Sequence, residues 1–143
     1  MIIHPDSHLD HGLTAEHIAY IADRFAARNS SFAETFVLPD TLPGAPCALY
    51  GPVMGDAPIT DGDVNMRQRG ERPGLSRVVS YPVRPSRRVT VIAGPHDGHP
   101  CVLYTAYGGP LAPREPSDIH ADSFAAAESR AFWAQHALAV GVR

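Results

Sequence analysis

Residues 89–107, VTVIAGPHDGHPCVLYTAY, constrain the fold of this 143-residue chain more than any other stretch. Two apolar runs flank a polar connection centred on Asp97-Gly98. Asp-Gly between apolar runs is a strong hairpin signal, because both central residues of a tight turn of this kind need positive φ. The expected arms are residues 89–93 and 101–107. Both are apolar at nearly every position, so the sheet they begin is expected to be covered on both faces. His96 and His99 flank the turn, and Thr105 and Tyr107 stand at the far end.

Upstream of the hairpin, Thr14 fits a helix N-cap, with Glu16 placed in the first turn where the helix dipole favours an acid. Ile18, Ile21, Ala22 and Phe25 follow helical spacing and predict a core-facing stripe on a helix ending near Arg28. His17, Tyr20, Arg24 and Arg28 form the adjoining stripe, read either as a solvated face or as one turned toward a groove. Residues 30–38 carry a capping-box pattern (Ser31, Glu34) and strand-forming residues together; the extended reading is preferred. From 39 to 74 the chain is crowded with Pro and Gly, and residues 47–53 alone resemble a strand. The expectation there is a rigid Ω-like loop. Residues 75–83 read as a strand interrupted at Pro82. Asp122 or Ser123 caps a last helix expected to reach about Val140.

These elements predict an α+β fold: one domain, 1–143, with a mainly antiparallel sheet of three to five strands. An N-terminal and a C-terminal helix pack on it. Alternating β-α-β crossovers are not expected, which removes a doubly wound sheet. The chain has no G-x-G-x-x-G, Walker A, G-x-S-x-G or C-x-x-C, so nucleotide cradles and the common serine and thiol elbows lose their support. No apolar run approaches a membrane span, and no basic-then-apolar leader opens the chain. A cytoplasmic address and no membrane partner are expected.

All twelve basic residues are arginine, and their distribution is uneven. Residues 1–66 hold two arginines against nine carboxylates, whereas residues 67–88 hold seven (Arg67, Arg69, Arg72, Arg77, Arg84, Arg87, Arg88) against Glu71 alone. Such a block is half of an internal charge match, plain solvated surface, or a site for an anion. Two cysteines are too few for a disulfide framework. Their surroundings nearly repeat, Pro46-Cys47-Ala48-Leu49-Tyr50 against Pro100-Cys101-Val102-Leu103-Tyr104. Either two buried strands coincide in composition, or the segments are neighbours in one sheet.

His4, His8 and His11 occur as H-x3-H-x2-H with Asp6 and Asp10 between them. Imidazoles at helical spacing can ligate a metal, but Pro5 and Gly12 oppose an uninterrupted helix. A polar lead-in loop over the core is expected, with a metal site on the trio as the alternative. A second place for a metal or small molecule is the hairpin tip, His96 and His99 with Asp97, although polar residues also collect at such tips by default.

A helix followed by antiparallel strands, with a late strand reading LYTAY, resembles the barnase–EndoU–colicin–RelE class of metal-independent ribonucleases. The likeness rests on Thr105-Ala106-Tyr107 and the element order. It implies Thr105 and Tyr107 beside a scissile phosphate, His17 or one of the amino-terminal histidines as base, and Arg87 or Arg88 as cation. RNA or another anion would be the partner, with no cofactor. Histidine would take the 2′-hydroxyl proton, and an arginine fork would stabilise the transition state. The sequence departs from the class in its acidic net charge, in having no lysine, and in the 36 residues after Tyr107. Other strings, HLDHGLT (8–14), VTVIAGP (89–95), LYTAYGGPLAPREP (103–116) and ESRAFW (128–133), resemble a bacterial family without an attached activity, which implies a stand-alone bacterial protein. A third possibility is a non-catalytic module whose arginine block binds an acidic partner.

Overall fold

The computed structural model of the chain describes residues 1–9, 12–46, 48, 64–68, 75–79, 84–113 and 122–140. The described chain is α+β and falls into two compact units. The first comprises Met1–Ala48 and Pro85–Leu111, the second Leu49–Arg84 and Ala112–Arg143.

The hairpin is the centre of the first unit. Strands β5 (Arg88–His96) and β6 (His99–Gly108) pair antiparallel from Val89↔Gly108 to His96↔His99. The two residues between them, Asp97 and Gly98, have φ of 49° and 80°, the double positive φ of a primed turn. The ladder slips between Ile92 and Ala93, where Thr105 and Leu103 are the partners and Tyr104 is the extra residue of a bulge.

Strand β2 (Phe32–Val37) joins β5 antiparallel, confirming the extended reading of residues 30–38. The other edge departs from expectation. Instead of a lead-in loop, Ile2–Leu9 forms a strand, β1, parallel to β6. The sheet order is β1-β6-β5-β2. Pro5 is tolerated because β1 is an edge strand, where a missing ladder donor costs least. Its register jumps between Ile3↔Leu103 and His8↔Thr105, five residues on β1 against two on β6. Since β1 and β2 both run parallel to β6, the segment from β1 to β2 is a single crossover carrying helix α1 (Ala15–Arg24). The expectation of no β-α-β unit is corrected to this extent.

Helix α1 begins where the capping residues say it should. Thr14 Oγ1 accepts the His17 amide at 3.2 Å, and the Thr14 amide donates to His17 Nδ1 at 3.1 Å. Its regular part stops at Arg24, and residues 25–27 are a turn. Ile21 and Phe25, both essentially inaccessible, pack in one cluster with Phe36, Val89, Val91, Ala93, Leu103 and Ala106. By register these strand residues share one sheet face. Burying a side chain of Ile or Phe size contributes roughly 1.5–3 kcal/mol, so this face supplies much of the unit's stability. Glu34 on the same face pairs with Arg24 and Arg28, whose guanidinium groups lie over Phe36 at 4.6 Å and Phe32 at 4.8 Å. That pairing is an internal charge match rather than a groove-facing stripe.

In the second unit, β3 (Val64–Gln68), β4 (Leu75–Val79) and β7 (Ala137–Val140) form an antiparallel sheet ordered β3-β4-β7. Helix α2 (Ser123–His136) precedes β7 directly. Asp122 Oδ1 accepts the Ala125 amide at 2.8 Å, as an N-cap does. Three expectations are corrected here. Strand β3 lies inside the stretch read as loop, the last helix stops at His136 with β7 after it, and the strands divide between two sheets. The second sheet is β-branched-poor in β3 (VNMRQ) and alanine-rich in β7 (ALAV), so local propensity does not mark it. Residues 49–63 of the predicted loop lie outside the described residues. Among the described residues no helix is long and apolar enough to cross a membrane.

Candidate functional site

Of the expected ribonuclease residues, Thr105, Tyr107 and Arg88 share one sheet face and His17 belongs with the other, while His8, of the amino-terminal trio, stands opposite Thr105 in the β1–β6 register. Thr105 pairs with Ile92 and Tyr107 with Thr90, which places both side chains on the sheet face opposite the one carrying Val89 and Val91. Arg88 has the same parity as Thr90 and shares that face. Helix α1, with His17, packs with the other face. Tyr107 is 3% exposed and Thr105 8%.

His17 is 1% exposed and acts as half of the α1 cap. Because Nδ1 accepts the Thr14 amide proton, the ring's own proton belongs on Nε2, and Nε2 is buried without a hydrogen-bond partner. Arg87 is likewise engaged. Its guanidinium donates to the carbonyl oxygens of Pro39 at 2.6 Å, Leu42 at 3.0 Å and Gly44 at 3.2 Å. Nε lies 3.4 Å from the Asp40 carboxylate, an ion pair without hydrogen-bond geometry. Arg87 therefore latches the 39–44 turn. Arg88 is exposed, with its amide and carbonyl bracketed by the Ser86 hydroxyl. The side chains of Arg67, Arg69, Arg72 and Arg77 lie outside the described residues, as do His11, Cys47 and the side chain of His8. Ala48 makes a parallel bridge to Gly108, so the first of the two similar Pro-Cys segments does reach the end of β6. Cys101 is a buried free thiol.

Chemistry gathers instead at the hairpin tip. His4 stands on β1 just where the register with β6 breaks. Its ring meets that of His96, 92 residues later, with Nε2 to Nε2 at 3.3 Å and ring planes at 76°. Tyr104, the bulge residue, backs the pair with ring centroids 5.5 Å from His4 and 5.9 Å from His96. Its hydroxyl donates to the Pro95 carbonyl at 3.1 Å, fixing the ring's position. Beside the pair is an open groove of about 220 Å³, lined by His4, His96, Asp97 and His99 together with Ile2, Ile3, Pro5 and Val102. All of these belong to the first unit.

Sequence reasoning named every histidine of this cluster but assigned them to two separate sites. Joining them requires the parallel β1–β6 pairing, for which the chain carries no local signal. Among the described residues no group of three or more His, Cys, Asp or Glu side chains is disposed to hold a metal.

No protein-family model, curated protein or solved structure matches the chain. The tip groove is therefore interpreted from its own chemistry.

Proposed function

We propose that this chain is a ligand-binding protein whose site is the groove between β1 and the β5–β6 tip, taking a small polar ligand or an ion. The observation that supports it is the meeting of His4 and His96 in a groove whose lining also holds Asp97, His99 and the apolar residues Ile2, Ile3 and Val102. Few convergent polar groups on an apolar surface are the usual make-up of a small-ligand site. At about 220 Å³ the groove exceeds a cavity of about 150 Å³ that holds benzene and lies below the range of drug-sized pockets.

A metal-independent ribonuclease remains a second proposal, supported by the Thr105-Ala106-Tyr107 strand end and by Arg88 on the same sheet face. Of the expected bases, His17 is buried in the helix cap, which leaves His8, the register partner of Thr105, for that role. Two assays separate the readings. Histidine and tyrosine ring signals in NMR, followed through a panel of small anions, amines and divalent ions, are expected to shift at His4, His96 and Tyr104. Shifts confined to other residues would overturn the groove. RNA cleavage in EDTA that disappears in Thr105→Ala would instead establish the nuclease.

A further inference from the structure

We infer that the outer edge of β2 is an interface between two copies of this chain, joined antiparallel about a twofold axis at Thr35. The tip groove belongs to the opposite edge of the sheet, along β1, and plays no part in it.

The two edges of the first sheet differ in how they are guarded. Strand β1 carries Pro5 and a break in register, devices that discourage a further strand. Strand β2, FAETFV, has neither, and pairs with β5 without a slip over all six residues. Among the described residues no strand lies beyond it. One hydrogen bond fixes which of its backbone groups face outward. The Leu38 amide donates to the Arg87 carbonyl at 2.7 Å, continuing the Val37↔Arg88 register. Successive residues of a strand turn their N–H and C=O to opposite sides. Phe32, Glu34 and Phe36 therefore serve β5, and Ala33, Thr35 and Val37 present theirs at the edge. All three are exposed, Val37 by 64%.

The residues of this edge select both the occupant and its register. A twofold axis normal to the sheet pairs the strand with its copy around one central residue, and residues directly opposite share a face. Centred on Thr35, the ladder bonds Thr35 to Thr35 and each Ala33 to Val37 of the second copy. Every outward amide and carbonyl of β2 is then used, and Val37 gains an apolar neighbour. A centre at Glu34 sets two like charges directly opposite, which destabilises. A centre at Phe36 sets Ala33 against Pro39, which has no amide to give.

Charge favours the same register. On the face that packs with α1, it places Glu34 opposite Phe36 of the second copy. The Arg24 guanidinium lies over Phe36 at 4.6 Å, and its bridge to Glu34 of its own chain is a loose 3.7 Å. Each Glu34 thus meets a second guanidinium, so the edge is complementary to itself. One pair of six-residue strands falls short of the about 1,200 Å² of a standard interface. The dimer therefore forms reversibly as concentration rises.

The test is sedimentation velocity on the full chain up to about 1 mM, with Val37→Lys alongside. A dimer fraction that grows with concentration is expected, with association weakened about tenfold or more when a lysine guards the edge. A measurement on the unaltered chain covers a misfolded variant. Amide exchange at Ala33, Thr35 and Val37 is expected to slow as concentration rises, whereas Phe32, Glu34 and Phe36 keep one rate. A chain that stays monomeric throughout overturns the inference. So does a dimer undiminished in Val37→Lys, or one whose outward β2 amides exchange equally fast at every concentration. Protection of those amides by an extended peptide of other sequence, in a chain that stays monomeric, assigns the edge to a foreign strand and overturns the second copy.

Discussion

The hydroxyl of Thr90 joins three pieces of backbone. It donates to the Gly109 carbonyl at 2.8 Å and lies 2.8 Å from the hydroxyl of Thr35, its cross-strand partner. Thr90 is completely buried and Gly109 is buried too, so the carbonyl has no water to turn to, whereas Thr35 is exposed. Thr90→Val, close in shape, is expected to cost about 1–3 kcal/mol by leaving a buried carbonyl unpaired. Thr35→Val is expected to cost less, because water replaces its partner, and the double change is expected to cost less than the two single changes summed, because both remove the same hydroxyl–hydroxyl contact. Urea unfolding of the four proteins measures the cycle, and strict additivity would show that the hydroxyls are uncoupled. Gly94 records a different constraint of the same scale. A Cβ there would sit 2.5 Å from Ser31 Oγ and 3.1 Å from Ser31 Cα, so glycine lets the chain before β2 lie directly on β5.

Between elements, β1 is an edge strand that meets the hairpin through a side chain as well as through its ladder. Its ladder with β6 is interrupted at His4, and Ile2 and Ile3 are 46% and 43% exposed. The His4–His96 contact ties this edge to the hairpin. His96→Ala is expected to lower the opening free energy of the first half of β1 by about 0.5–1.5 kcal/mol, read as faster amide exchange there than in β5. Exchange in β1 that is unchanged, or raised equally in every strand, would refute the tie. The same strand shows where sequence was readable and where it was not. The β5–β6 hairpin, the Thr14 cap and the Asp122 cap are local devices, and each was legible from the few residues that make it. Strand β1 owes its existence to a partner a hundred residues away, and MIIHPDSHL has neither alternation nor β-branched density beyond its first residues. Strands β3 and β7 were hidden because VNMRQ is poor in β-branched residues and ALAV is rich in alanine, so local propensity does not mark them. At the candidate site, the histidines were visible as residue types; their meeting was a property of topology.

At the scale of the whole chain, each unit is assembled from two separate segments: the first unit's chain leaves after Ala48 and returns at Pro85, while the second receives it twice. Neither unit can be excised as one continuous fragment. Fragment 1–84 is therefore expected to lack cooperative thermal unfolding, and a sharp calorimetric transition in it would contradict the division. The register Ile2↔Val102 has a further meaning for a chain made from its amino end. For most of synthesis the first strand has no partner, and it waits with two exposed isoleucines until β6 has left the ribosome. Pairings so distant in sequence close slowly, and an unpaired edge is where chains adhere to one another. Pro5 and the polar stretch that follows it, which look like defects in a strand, are what keep the waiting segment from pairing with another copy of itself.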